Sequence, residues 1–230
     1  MQYKGGKNGN GTYQTIINQI PEHQVYFELF AGSAAIYRFK SRSYISVLFD
    51  NSGASIENIK TFLDPSDIAL LIDSVYSRKL WITAAELLSR FDVKVFVYLD
   101  PPYPFECRSC KRNLYKHELN DRDHIALLSD LISVNFPVAI STYENSIYSE
   151  YLKDWRLIRF RSIVRGGTRE EYLYMNYPKP EKLHDYRYLG SNFRDRESIT
   201  RSVNNTVRKL KNADPQILNA ILQELIKKQI

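Results

Sequence analysis

Apolar and polar positions fall into two alternating kinds of block along this chain. Short runs rich in Val, Ile, Leu, Phe and Tyr recur at 25–30, 45–49, 95–99 and 137–141. Each is too short for a buried helix and reads as a buried strand of a parallel sheet. Between them lie stretches with helical spacing. Residues 54–91 read as helices broken at Pro65 and around 78–80, and 121–133 carries Ile125, Leu128 and Ile132 on one side. Thr12 suits the cap of a short helix reaching Ile20, and Pro21 stops it. Two late strands, about 156–164 and 171–176, set Leu157, Ile158 and Phe160 toward the core and arginines outward. Strands alternating with helices predict an α/β, doubly wound sheet over 1–178. From Pro178 the chain turns polar and basic. Asp214-Pro215 then opens a helix with an apolar stripe at Ile217, Leu218, Ile221, Leu222, Leu225 and Ile226, so 179–230 reads as a helical extension.

The strand ends carry the candidate chemistry. The run at 95–99 meets Asp100-Pro101-Pro102-Tyr103. Two prolines without amide hydrogens end the pairing and stiffen the turn, so the acid and the tyrosine stand at the carboxyl edge, where open α/β sheets bind ligands. The first strand runs into Phe30-Ala31-Gly32-Ser33, a small-residue turn opening a helix, the geometry that receives phosphate or carboxylate groups. The second ends in Asp50-Asn51, with Asp50 eighteen residues after Gly32, near the spacing at which an acid reaches a ribose hydroxyl. A turn-capping role suits Asp50 equally. Residues 3–11 are dense in glycine, which lets backbone approach a ligand closely.

Composition narrows the partners. The net charge of +6 favours an anionic one. Two basic stretches contain aromatic or glycine-turn residues: the loop with Arg108, Lys111, Arg112, Tyr115 and Lys116, and the hairpin with Arg165 and Arg169. Both suit nucleic acid; a solvated loop and a charged edge strand are the competing readings. Cys107 and Cys110 are too few for a disulfide framework and supply half a zinc site at most, so no metal is expected. No run has the length of a membrane span, and the polar start lacks a leader's apolar core, which predicts a cytoplasmic protein.

Taken in order, these motifs resemble the DNA adenine methylase (Dam) family. Gly5-Gly6-Lys7 is similar to its N-terminal cofactor segment, and Glu28-Leu29-Phe30-Ala31-Gly32-Ser33 to its cofactor motif, with Leu29 replacing the usual proline. Asp50-Asn51 is similar to its ribose acid, Asp100-Pro101-Pro102-Tyr103 to its catalytic motif, and Ser141-Thr142 and Gly166-Gly167-Thr168-Arg169 to its later strand and hairpin. The resemblance implies a Rossmann-like methyltransferase sheet using S-adenosyl-L-methionine (SAM) to methylate the exocyclic amine of an adenine flipped from double-stranded DNA. It implies catalytic roles for Asp100, Pro101, Pro102 and Tyr103. It assigns cofactor binding to Tyr3, Gly5, Gly6, Lys7, Glu28, Phe30, Ala31, Gly32, Ser33, Asp50, Asn51 and Asp100, with Lys7 near the cofactor's carboxylate. The family's helical target-recognition insert is reduced here to about 61–80. An RNA amino-methyltransferase, or a nucleic-acid-binding module with a vestigial core, are the alternatives. The compact size suits a phage or mobile element as well as restriction-modification.

Overall fold

The computed structural model describes residues 6–107, 118–164 and 167–227, in two units, 1–186 and 187–230. In the first unit the strands are β1 (Val25–Leu29), β2 (Ile45–Asp50), β3 (Ile68–Leu71), β4 (Val95–Leu99), β5 (Val138–Thr142), β6 (Arg156–Val164) and β7 (Gly167–Met175). Among the described residues they form one seven-stranded sheet in the order β3-β2-β1-β4-β5-β7-β6. β1 to β5 run parallel; β7 is antiparallel to both β5 and β6. The helices of this unit are α1 (Thr12–Ile17), α2 (Ala35–Phe39), α3 (Gly53–Lys60), α4 (Arg78–Arg90), α5 (Asp121–Leu131) and α6 (Ser146–Tyr151).

The burial pattern explains the two-sided winding. All five residues of β1, β4 and β5 are buried, as a sheet covered on both faces requires. Phe27, Leu29, Val97, Leu99, Val138 and Ile140 meet Trp81 and Ala85 of α4 and Leu127, Leu128 and Leu131 of α5 on one face. Leu48 on the other phase packs with Ala31, Ala34, Ile56 and Ile59 under α2 and α3. At full burial each such Leu or Ile contributes about 1.5–3 kcal/mol. Asn120 caps α5 by accepting from the amides of Arg122 and Asp123, with Asp123 returning the bond to the Asn120 amide.

Three expectations change. The segment 61–80, read as helical and as a remnant recognition insert, contains β3, which pairs with β2 at the sheet edge. Ala and Leu favour helix, so propensity hid it; the β2 edge supplied the ladder that decides strand. α1 begins after Gly11, not at a Thr12 cap, and ends at Ile17. Gly11 has φ +94°, a left-handed turn that glycine enters without strain. The compositional shift at Pro178 also precedes the structural one. Residues 179–186 belong with the first unit: Leu183 bridges Pro21, the Asp185 carboxylate accepts from the Ser41 amide at 2.8 Å, and His184 stacks on His23.

The second unit holds α7 (Phe193–Lys211) and α8 (Pro215–Lys227). Asn192 caps α7 through the Asp195 amide. Ile217, Ile221, Leu222, Leu225 and Ile226 of α8 are exposed. Among the described residues no helix is long and apolar enough to cross a membrane.

Candidate active site

The strand order reverses between β1 and β4, so the loops leaving their carboxyl ends diverge and open a crevice. Register brings the predicted motifs to this edge: Leu29 pairs with Phe49 on one side and Leu99 on the other. The glycine turn, Asp50 and Asp100 therefore leave the sheet side by side.

The glycine turn is held in an uncommon backbone form. Phe30, Gly32 and Ala34 have φ of +57°, +53° and +49°. Two are not glycine, and such strain persists only where surroundings enforce it. The Ala31 amide donates to the Phe49 carbonyl at 3.0 Å, and the Gly32 amide donates to Asp50 Oδ2 at 2.8 Å. Asp50 Oδ1 accepts from the Ser52 amide at 2.8 Å. Asp50 thus binds the two turns together, the capping role its sequence context allowed. Asn51 donates to Asp73 at 3.0 Å. Gly6 lies on this turn: a Cβ there would stand 2.9 Å from Ser33 Oγ. Neighbouring Asn8 donates to the same Ser33 hydroxyl at 3.2 Å.

Glu28, assigned by resemblance to the cofactor, has its carboxylate turned into the core. Its Oε2 accepts from the Tyr26 hydroxyl at 2.9 Å and the Tyr37 amide at 2.8 Å. Burial pushes its pKa up to about 7 against these bonds. Here it ties β1 to α2.

The Asp100 turn is built around an ion cluster. Lys7 Nζ donates to Asp100 Oδ1 at 2.8 Å and to the Tyr103 hydroxyl at 2.6 Å. It stands 3.5 Å from Glu171 Oε2. Lys7 and Glu171 are both 4% exposed; Asp100 is half-buried. Burial pulls the Lys7 pKa down, but the charges of Asp100 and Glu171 and the Asp100 bond outweigh it, and the net shift is upward. Burial also raises Asp100, with Lys7 pulling it back. Burial, then the charges of Asp100 and Glu171, hold the Tyr103 hydroxyl well above its usual range, so it stays protonated. The ammonium of Lys7, which the resemblance gives to the cofactor's carboxylate, is here bonded to the proline turn.

Two side chains that sequence reasoning did not assign complete the cluster. Tyr143 follows β5, and its ring meets Tyr103 edge-on at 4.5 Å. Glu171 comes from β7. Because β7 runs antiparallel, Tyr172 pairs with Thr142 and Glu171 lies one step beyond, at the carboxyl edge of β5. The signal was legible: Glu171 alternates in phase with Leu173 and Met175, so a carboxylate sits on a buried face. Arg169, from the predicted hairpin, sits over the Tyr143 ring at 5.2 Å and bonds the Cys107 carbonyl at 3.5 Å. Tyr3, Gly5, Arg108, Lys111, Arg112, Tyr115, Lys116 and Arg165 lie outside the described residues, as does Cys110. Among the described residues no group of three or more His, Cys, Asp or Glu is arranged to hold a metal. The groups able to hold a nucleoside-type ligand are the 30–34 turn and Asp50; those able to bind an amine are Asp100 and its neighbours.

Neither a protein-family model nor a curated protein matches the chain. Solved structures do, at low identity. The chain is similar to the N-methyltransferase NodS of Bradyrhizobium japonicum WM9 (9% identity, 75% of this chain and 95% of that one, TM-score 0.49). It is similar to magnesium protoporphyrin IX methyltransferase (ChlM) of Synechocystis PCC 6803, solved with SAM bound (9%, 73% and 76%, TM-score 0.46). A third is an rRNA methylase of Streptococcus thermophilus (8%, 75% and 95%, TM-score 0.42).

Proposed function

We propose that this chain is a SAM-dependent amino-methyltransferase acting on the exocyclic amine of adenine in double-stranded DNA. One observation carries the reading. Asp100, on a turn of two prolines, already binds a nitrogen cation, Lys7 Nζ, at 2.8 Å beside the Tyr103 ring. A carboxylate so held can equally accept from an amine.

The residues present fit the cofactor. Asp50 stands at the carboxyl end of β2 beside the glycine turn, where an acid can meet a ribose, and the 30–34 turn offers backbone without a Cβ at Gly32. When bound, SAM supplies an electrophilic methyl group on a sulfonium. The remaining work falls to the protein. The adenine amine is a poor nucleophile because its lone pair is shared with the ring. Asp100 accepts a hydrogen bond from one N–H, and the Pro101 carbonyl is the acceptor for the other. Both pull the nitrogen toward tetrahedral geometry and localise its lone pair. The gain is positioning and preorganised charge. The base must leave the duplex to reach this edge, and Tyr103 offers a ring for it to stack on.

The test compares unmethylated duplex DNA with structured RNA as acceptor for radiolabelled methyl, followed by nucleoside mass spectrometry. N6-methyladenine from DNA is expected. Label confined to RNA would replace the reading with an RNA amino-methyltransferase, and no cofactor binding by calorimetry would leave a binding module.

A further inference from the structure

We propose that Glu171 is a positioning residue, the seat to which Lys7 moves when the target amine takes Asp100. The proposal rests on the functional reading above. Lys7 has three N–H donors. One is on Asp100 Oδ1 and one on the Tyr103 hydroxyl. The Glu171 carboxylate stands 3.5 Å from the same nitrogen, just beyond a good hydrogen bond. An amine seeking Asp100 Oδ1 competes directly with that ammonium.

A lysine at 4% exposure cannot retreat without another anion, because a buried unpaired charge is severely unfavourable. Glu171, equally buried, is that anion, and a small swing of the side chain reaches it. The exchange also leaves the cluster's charge suited to the reaction. Lys7 on Glu171 is a neutral pair, so Asp100 faces the amine as a free carboxylate while positive charge develops on nitrogen. Arg169 faces Tyr143 at 5.2 Å, and Tyr143 abuts Tyr103; these groups border the cluster and provide no second carboxylate.

Four proteins test this: wild type, Glu171→Gln, Lys7→Met and the double variant. With Glu171 neutral, Lys7 is confined to Asp100, so KM for the DNA acceptor should rise about tenfold, within the usual range of coupling between sites, while SAM affinity by calorimetry stays unchanged. Lys7→Met in the Glu171→Gln background should bring KM back down, since the competing ammonium is gone. A residue that merely packs the site would show no such recovery. Glu171→Asp, which keeps the charge, should fall between. An unchanged KM in Glu171→Gln, or a double variant no better than the single, overturns the proposal. If wild type transfers no methyl to any nucleic acid, the functional reading fails. The Lys7–Glu171 pairing is then read from a denaturation double-mutant cycle, where zero coupling overturns it and measurable coupling supports it.

Discussion

At the level of single residues, the proposed chemistry converges on one carboxylate, Asp100, and the groups bonded to it. Asp100→Ala removes the proposed acceptor for the amine but leaves Lys7 with Glu171 and Tyr103, so the fold and SAM binding should survive. Methyl transfer should drop at least about a hundredfold, the scale of losing one preorganised electrostatic partner; single-turnover kinetics with parallel calorimetry reads both. Tyr103 has two separable parts. Tyr103→Ala deletes the ring packed on Tyr143 and should weaken a flipped base by about 1–3 kcal/mol. Tyr103→Phe keeps that ring and loses the hydroxyl, which accepts from Lys7 and donates to Asp100 and Glu171, so its deficit in DNA binding should be the smaller; equal deficits would assign the effect to the hydroxyl. The proline turn was legible because proline chemistry is local. The buried phase of Glu171 was legible beside Leu173 and Met175, but its role was not, because that follows from an antiparallel pairing that joins residues far apart in sequence. Lys7 was found, but its pairing with Asp100 was not, for the same reason: 93 residues separate the two.

Elements follow the same division between local and distant causes. β1, β4 and β5, buried on both faces, announced themselves as apolar runs. β3 did not, since Ile-Ala-Leu-Leu is equally good helix and only the neighbouring edge of β2 selects strand. The glycine turn was visible from Gly32, but its left-handed Phe30 and Ala34 were not, being imposed by the Ala31–Phe49 and Gly32–Asp50 bonds. Asp50→Ala strands two backbone amides, so it should cost about 1–3 kcal/mol per buried donor left unpaired in chemical denaturation. A loss confined to SAM affinity, with stability intact, would instead make Asp50 a ligand-only residue. On the edge strand β6, Arg159 and Arg161 are exposed. If they grip phosphate, replacing both with Gln lowers the salt slope of DNA binding by about two, as expected for two lost phosphate contacts. An unchanged slope leaves them as guards of the sheet edge.

Over the whole molecule, stability should carry a pH signature. Burial raises Glu28 to about 7 and lowers Lys40 to about 7, and the two lie on the same side of the sheet around Tyr26. Glu28 is raised, so the folded state holds a proton the unfolded chain has released, and stability falls as pH climbs from the ordinary carboxylate range toward 7. Lys40 is lowered, so the folded state lacks a proton the unfolded chain keeps, and stability recovers between 7 and the ordinary lysine range. Glu28→Gln should therefore gain stability relative to wild type between pH 5 and 7.5 in denaturant titrations; a difference flat with pH would contradict this. The net charge of +6 and the basic α7 bear on solubility and anionic partners rather than on fold. The central claim is that Asp100 activates an adenine amine for methylation. The most direct measurement is N6-methyladenine formed from SAM in unmethylated duplex DNA by wild type and by Asp100→Ala, with SAM binding followed in both. The modified base is expected with wild type, and its loss, at unchanged SAM affinity, in the variant. Equal yields from the two proteins would contradict it.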